Sequence, residues 1–259
     1  MSTKEGARPA PPYREATQVS FLGKRLHVLD LSREISPEIP VYPGHMKVAI
    51  WTHMTHEESR LRMGDTPFRG YAVKGICLCD HDSTHVDAIS HFDPDRPDLG
   101  IDRFPIESCF TDGVWIDVSD VAPRTHITLD RMRRAMAEAG IDELPRGGAL
   151  LYYTGAARLW DDHLAYVSQY PGLDAEASRY VLDAGVVNIL TDAVSTDNPA
   201  DVTYPNHTAC AEYLVNHTEV VNNIERIPVH SGFSVVVAPL RLVGCTGSPV
   251  RVFAVWEAT

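Results

Sequence analysis

The chain has 259 residues, of which 44% are hydrophobic and 22% are charged, as in an ordinary soluble globular protein. Its formal net charge of -12 at pH 7 argues against nucleic acid or an anionic membrane as the main partner, because both require a basic surface. The five cysteines are odd in number and show no framework spacing, and no window approaches the length of a membrane span. We therefore expect one domain with reduced thiols, located in the cytoplasm.

The first part of the chain combines an arm, short strands and loops. Residues 1–20 lack the apolar segment of an export signal and are predicted as a flexible N-terminal arm, so the domain is predicted over residues 21–259. The Pro-rich residues 32–44 form a loop of the kind that walls a site, and the polar residues 56–70 are predicted as a loop or lid. Strands are predicted over residues 26–31, 48–53 and 71–78.

The second part of the chain alternates helices and strands, which is the pattern of an α/β fold. Polar N-cap residues and terminating glycines separate the apolar segments. The polar loop over residues 191–197 follows a strand, and its acids serve either a functional site or local turns. The predicted elements are strands over residues 113–118, 149–153, 186–190, 233–238 and 250–255, and helices over residues 129–139, 174–182 and 208–215.

The segment from Cys79 to Phe92 reads C-D-H-D-S-T-H-V-D-A-I-S-H-F and concentrates polar side chains of one kind. If it is extended, its odd-numbered positions share one face, and these carry His81, His85, Asp87 and His91. Imidazoles and a carboxylate are the ligands that zinc, manganese or iron accept. A polar strand face with hydrogen-bonded structural histidines is the alternative. The clustering of three histidines within eleven residues favours a metal site.

This segment resembles the H-x-G-T-H-x-D-x-P-x-H signature of the metal-dependent cyclase family, which includes kynurenine formamidases and isatin hydrolases. The signature would cover residues 81–91, and the chain departs from it at Ser83 and Ile89, where the family has Gly and Pro. Similarity continues in order along the chain, in D-L-S at residues 30–32, P-x-x-P-G at 40–44, T-G at 154–155, T-D-x-x-S-x-D at 191–197 and G-S-P-V-R at 247–251.

The resemblance implies a single domain with the family's swivelling β/β/α fold, assembled as a homodimer or homotetramer. It also implies a site for one or two divalent ions, Mn²⁺ or Zn²⁺. His207 and Glu219 stand twelve residues apart, as the His and Glu that complete a two-metal site do in the family's formamidases. Glu212 is the rival carboxylate for that role.

The resemblance and the ligand chemistry together predict a hydrolase that cleaves an amide or lactam C–N bond. His81, His85 and Asp87 are expected to hold the metal, and Asp87 is expected to bridge to a second ion at His207 and Glu219. A bound ion lowers the pKa of its water from about 15.7 towards about 7, which supplies hydroxide at neutral pH. His91 is expected to transfer protons, because the ordinary pKa of an imidazole is near 6.5.

Aromatic residues in the neighbouring loops suggest a small aromatic or cyclic amide as substrate. Tyr42 and Phe68 are expected to wall the pocket, whereas Trp51 is expected in the core. N-formylkynurenine, isatin, another cyclic amide and a lactone or ester all remain open. Two other classes of function remain as well: a non-haem iron oxygenase, which also uses two histidines and one carboxylate, and a metal-binding protein without activity.

Overall fold

The structure, a computed structural model, describes residues 15–258. Its strands are β1 (Thr17–Phe21), β2 (Lys24–Asp30), β3 (Ala49–Met54), β4 (Val73–Cys77), β5 (His85–Asp87), β6 (Phe110–Asp117), β7 (His126–Ile127), β8 (Ala149–Tyr153), β9 (Gly172–Leu173), β10 (Asn188–Thr191), β11 (Asn216–Glu219), β12 (Phe233–Pro239) and β13 (Gly247–Glu257). Its α-helices are α1 (His56–Met63), α2 (Ile89–Phe92), α3 (Leu129–Glu138), α4 (His163–Tyr166), α5 (Ala175–Asp183) and α6 (Pro205–Tyr213). Short 3-10 helices lie at Ile101–Arg103, Ile106–Cys109, Ala156–Leu159 and Ile224–Arg226. Within residues 15–258, none of the helices has the length and apolar character needed to cross a membrane.

Nine strands form one sheet in the order β1-β2-β13-β12-β6-β8-β10-β11-β5, and β5 pairs with β13 as well. The sheet therefore closes on itself between β5 and β13, while β1 and β2 extend beyond the closure. Strands β6, β8, β10 and β11 run parallel to one another. The other pairings are antiparallel, including the contacts of β5 with both of its neighbours. Strands β3 and β4 form a separate antiparallel hairpin.

Strands β8, β10 and β11 are buried on both faces, which explains why β8 is an uninterrupted apolar run, A-L-L-Y-Y. Successive residues of a strand point to opposite faces, and Leu150 and Leu151 accordingly belong to two different core clusters. The cluster that contains Leu151 also contains Leu29 and Val252, from β2 and β13. The other cluster lies under the helices and includes Met132 of α3.

The boundaries of the two longer crossover helices follow from their capping residues, as the sequence predicts. The side chains of Thr128 and Asp174 accept hydrogen bonds from the backbone N–H of Arg131 and Ala177, which starts α3 and α5. Gly140 and Gly185 follow the helix ends with φ of 67° and 87°, a conformation that glycine adopts without strain. The predicted helices over residues 129–139 and 174–182 are therefore confirmed.

Two predicted segments differ from the structure. Residues 56–63 form the helix α1 rather than a loop, because Thr55 and Glu58 form a reciprocal capping box whose local hydrogen bonds start a helix in this polar stretch. Strand β1 begins at Thr17 and pairs with β2, so the folded domain starts before the predicted boundary at residue 21. Residues 1–14 of the predicted arm lie outside the described residues.

Candidate metal centre and active-site cavity

The histidine-rich segment is not extended throughout, as the one-face prediction required. It forms a turn, the short strand β5 and the short helix α2. Asp82 closes the turn by accepting a hydrogen bond from the backbone N–H of Cys79 (2.8 Å). Ser83 adopts φ of 60°, the left-handed conformation that the signature glycine favours, and its hydroxyl hydrogen bonds to the carbonyl groups of Arg33 and Glu34. The segment therefore bends its polar side chains towards one point.

Strands β5 and β11 form an antiparallel ribbon that carries the centre of the site. Their register places His217 opposite Asp87, and Glu219 opposite His85. Because residues two apart on a strand share a face, these four side chains stand together as two cross-strand pairs. All four are buried.

Asp87 lies between two groups of imidazoles. Its Oδ1 is 2.7 Å from His81 Nδ1 and 3.1 Å from His85 Nε2. Its Oδ2 is 2.9 Å from His217 Nε2 and 3.8 Å from His207 Nε2. The two oxygens of one carboxylate thus serve different groups, which is the arrangement of a carboxylate that bridges two ions.

Glu219 repeats this arrangement. Its Oε2 is 3.7 Å from His85 Nε2, and its Oε1 is 3.4 Å from His217 Nε2. Its Oε1 also accepts a hydrogen bond from the backbone N–H of Thr196 (3.0 Å), which fixes the side chain. Asp87 and Glu219 therefore both face two half-sites: the first half-site contains His81 and His85, and the second contains His207 and His217.

The imidazoles of the first half-site are oriented by hydrogen bonds on their outer nitrogens. His85 donates from Nδ1 to the carbonyl of Ser83 (2.9 Å), which directs Nε2 towards Asp87. His81 contacts Thr246 Oγ1 through Nε2 (2.9 Å), and the Thr246 hydroxyl donates to Asp80 (3.1 Å), so Thr246 accepts from His81. Both rings therefore direct their second nitrogen to the centre, as metal-binding histidines do.

His207 in the second half-site is oriented by Asp197. Its Nδ1 donates to Asp197 Oδ2 (2.5 Å), so Nε2 faces Asp87. The same carboxylate accepts from the backbone N–H groups of Asn206 (2.6 Å) and His207 (3.1 Å) at the start of α6. A carboxylate that orients a histidine in this way is typical of the surroundings of a metal ion.

The donor set fits a divalent cation. Asp87, His207, His217 and Glu219 each offer one ligand atom within 4.8 Å of one another, and so do His81, Asp87 and His91. Burial acts to raise the pKa of Asp87, but the imidazoles of His81, His85 and His217 outweigh it and hold this pKa well below 3.8. An anionic Asp87 among buried imidazole nitrogens forms a site that attracts a cation.

His91 lies at the edge of the centre on helix α2. Its Nε2 is 3.9 Å from Asp87 Oδ2, and its ring centroid is 4.0 Å from that of His81. About a third of its side chain (33%) is exposed, so it is open to a bound molecule. Burial of the rest of the ring lowers the pKa of His91 to about 4, so the imidazole is neutral at neutral pH and can accept a proton.

A cavity of about 430 Å³ opens over these groups. Histidines and carboxylates of the centre line part of it. Aromatic and apolar side chains line it as well, and they include Tyr42, Phe92, Val194 and Tyr204. A flat molecule with one polar end fits such a cavity.

Comparison with known proteins identifies the family of the chain. Residues 29–198 match the family model Cyclase, described as "Putative cyclase". The chain belongs to the Cyclase family. It is 26% identical over 229 residues to the kynurenine formamidase of Salinibacter ruber (strain DSM 13855 / M31), covering 86% of this chain and 95% of that protein. It is 25% identical over 233 residues to the kynurenine formamidase of Geobacillus thermodenitrificans (strain NG80-2), covering 86% and 94%.

The fold is that of solved Cyclase family structures. An isatin hydrolase bound to the product analogue thioisatinate superposes with a TM-score of 0.78 at 22% identity, over 90% of this chain and 93% of that chain. A structure described as a novel cyclase superposes with a TM-score of 0.73 over 88% and 87%. The predicted α/β fold class and the resemblance to this family are therefore confirmed.

Most of the predicted site residues meet at the cavity. His81, His85, Asp87, His91, His207, Glu219 and Tyr42 all line it. Glu212, the rival carboxylate, instead forms an ion pair with Arg179 (2.7 Å) on the surface.

Two aromatic residues lie elsewhere than predicted. Phe68 does not line the cavity and is half exposed, because hydrogen bonds between Ser59 and Tyr71 hold its segment against α1. Trp51, predicted in the core, is also half exposed. Its indole lies across the β3–β4 hairpin over Gly75, where an added Cβ would be 2.2 Å from the ring.

His217 is the ligand-type residue that the sequence reasoning missed. It lies outside the signature, and a lone histidine after a helix carries no strong signal. The available signal was the alternation His217-x-Glu219, which places both side chains on one face if the segment is a strand.

Proposed function

We propose that this chain is a metal-dependent hydrolase that cleaves an amide or lactam C–N bond. The observation that supports this most strongly is the position of Asp87, whose two oxygens face two groups of imidazoles beside a neutral His91. The proposed ligands are His81, His85 and Asp87 for one ion, and Asp87, His207 and Glu219 for a second. The proposed metal is Mn²⁺ or Zn²⁺, since imidazole with carboxylate suits both.

An ion held by these ligands would polarise a carbonyl group and lower the pKa of a water molecule. The residues of the chain do the remaining work. His91 is the proposed proton carrier, because it is neutral, partly exposed and next to Asp87. It would accept the proton of the attacking water and deliver it to the leaving nitrogen. Asp87 and Glu219, fixed by their neighbours, keep the imidazoles in place throughout.

The proposed substrate is a small aromatic or cyclic amide that stacks against the wall around Tyr42. Burial raises the pKa of Tyr42, so its hydroxyl remains protonated and can donate a hydrogen bond. The similarity to a kynurenine formamidase and to an isatin hydrolase supports this substrate class. N-formylkynurenine and isatin are the two substrates to test first.

We also propose a cytoplasmic homodimer or homotetramer without nucleic acid or membrane partners. All five cysteines are free thiols, which suits a reducing compartment. The β3–β4 hairpin and its surroundings expose a group of large apolar side chains, as an interface between copies of the chain would: Ile50, Trp51, Phe68, Tyr71 and Ile76.

The test compares chelator-treated protein with protein reconstituted with Mn²⁺ or Zn²⁺, on both substrates under nitrogen, with product absorbance as the readout. The proposal expects hydrolysis of at least one substrate that requires the metal and needs no oxygen. Lactones and esters are added as a second panel. Failure of the metal-loaded protein on all amides, lactams and lactones would contradict the proposal, and so would Fe(II)-dependent oxygen consumption with a 2-oxo acid.

A further inference from the structure

His217 differs from the other histidines of the centre in its access to the cavity. His81, His85 and His207 all line the cavity, whereas His217 is fully buried and does not. The ring of Phe92 stacks on it at 5.2 Å between centroids, nearly parallel at 16°, and Phe92 itself lines the cavity. His217 is thus held beneath the floor of the site in a fixed orientation.

Neither nitrogen of His217 meets the distance and angle of a hydrogen bond, although both are completely buried. The side chains that face the imidazole are those of Asp87, Glu219 and Cys210. Its Nε2 lies 2.9 Å from Asp87 Oδ2 and 3.4 Å from Glu219 Oε1, but these contacts are not aligned as hydrogen bonds. Buried polar groups are nearly always paired, so this exception requires an explanation. Nε2 of His217, Oδ2 of Asp87 and Oε1 of Glu219 lie close together without forming hydrogen bonds. A cation bound by all three atoms would account for this arrangement.

An ordinary core histidine does not explain these contacts. Such a residue would place at least one nitrogen on a backbone or side-chain partner, as His85 does with Ser83 and His230 with the carbonyl of Trp115. The strand register instead places His217 directly opposite Asp87 and on the same face as Glu219. Its imidazole therefore faces the carboxylates of both Asp87 and Glu219.

We propose that His217 is a protein ligand of the second ion, which makes the second half-site closed and leaves the first half-site open. This inference rests on the proposed function for the presence of two ions. The second half-site then has four protein ligands, Asp87, His207, His217 and Glu219, whose atoms lie within 4.8 Å of one another. A divalent ion with four protein ligands is characteristic of structural sites, whereas three protein ligands with a free position are characteristic of catalytic ones.

The two half-sites consequently have different tasks. The ion of the second half-site binds tightly, exchanges slowly and fixes Asp87 and Glu219 from below. The first half-site, whose histidines both line the cavity, keeps a position for water or substrate. His217 acts through the ion and the carboxylates and does not touch the substrate.

The first experiment is a crystal structure of the wild-type protein grown with Zn²⁺, with anomalous difference maps at the zinc edge. The inference expects an ion about 2.0–2.1 Å from His217 Nε2, within bonding distance of Asp87 and His207 as well. An ion bound to Asp87, His207 and Glu219 with His217 outside bonding distance would overturn it. This experiment needs no variant and no activity.

The second experiment counts metal in His217→Gln, which keeps a polar side chain of similar reach, with His217→Asn as a smaller replacement. His230→Gln is the matched control, since His230 stacks on Trp115 away from the cavity. After dialysis against graded chelator, wild type and the control should retain one ion that resists removal. In His217→Gln or His217→Asn this ion should be released at chelator levels at least about 10-fold lower.

Unchanged retention in a folded His217 variant would overturn the inference. A failure of the proposed function would give a different experimental result. A wild-type protein that binds two ions and hydrolyses nothing would disprove the function and leave the role of His217 standing. Hydrolysis by the wild type together with unchanged metal retention in the His217 variants would support the function and disprove the role of His217.

Discussion

The two half-sites share their carboxylates and differ in nearly everything else. The first half-site takes both histidines from one short segment, the turn and strand at residues 81–87. The second half-site takes His207 from α6 and His217 from β11, and the pairing of β11 with β5 places His217 opposite Asp87. Both imidazoles of the first half-site line the cavity, whereas in the second half-site His207 lines it and His217 does not. One pair of carboxylates thus faces two imidazoles that line the cavity and, on its other side, an imidazole that is fully buried.

The largest effect on metal binding and activity is expected from replacing Asp87, the carboxylate that both half-sites share. Asp87→Ala should lose both ions and all activity above background, because it removes a ligand from each half-site. Metal content by mass spectrometry and hydrolysis rates measure this directly. Asp98→Ala, which breaks only an exposed pair with Arg96, is the control. Retention of one ion by Asp87→Ala would show that the half-sites do not depend on a common carboxylate.

Replacing His91 should reduce activity without reducing metal binding. His91→Ala should lower kcat by about 10²–10⁴-fold, the usual contribution of a general acid–base, and keep both ions. Wild-type protein measured in parallel provides the reference for metal content. If kcat stays near the wild-type value, His91 does not carry the proton. If an ion is lost as well, His91 belongs to the first half-site as a ligand.

The half-sites should also respond separately to changes in their supporting residues. Asp197→Asn weakens the hydrogen bond that orients His207, and should lower metal affinity in the second half-site by about 10–100-fold. Thr246→Val removes the acceptor for His81 and should do the same in the first half-site. Metal titrations of both variants measure the two affinities. Equal effects of both variants on both ions would contradict the division into two half-sites.

The smallest predicted effect concerns the protein without metal. Burial opposes charge on His85, but the carboxylates of Asp87 and Glu219 outweigh it and raise the pKa of His85 from 6.5 to about 9. A histidine with a raised folded-state pKa stabilises the fold below its unfolded value, and this contribution is lost as pH rises through about 9. Tm of chelated protein should therefore fall between about pH 7 and about pH 9. Metal-loaded protein should not show this fall, since the ion replaces the proton. The same fall in both forms would contradict the account.

Sequence reasoning identified the first half-site because its ligands lie in one short segment with a recognisable spacing. The predicted backbone conformation of this segment was wrong. An extended chain was expected, but Ser83 adopts a left-handed conformation and α2 begins at Ile89. His91 nevertheless reaches the centre from the helix, four residues after Asp87. The convergence of the side chains was predictable, and the backbone that produces it was not.

The second half-site was predictable only in part. His207 and Glu219 were found through resemblance to the family, but His217 required the pairing of β11 with β5, which no local pattern specifies. The sequence did not decide whether the acids of the 191–197 loop serve a functional site or local turns. In the structure, one acid does each. Asp192 accepts from the backbone N–H groups of Thr154 and Ala157 and stabilises a local turn, whereas Asp197 orients His207.

The most direct test of two unequal half-sites is a titration of chelated wild-type protein with Zn²⁺ or Mn²⁺, in which bound metal and hydrolysis are measured in the same samples. The account predicts that the first ion per chain fills the closed half-site and supports little or no hydrolysis. Activity should then rise in proportion to the second ion. Full activity at one ion per chain, with no gain from the second, would contradict the account.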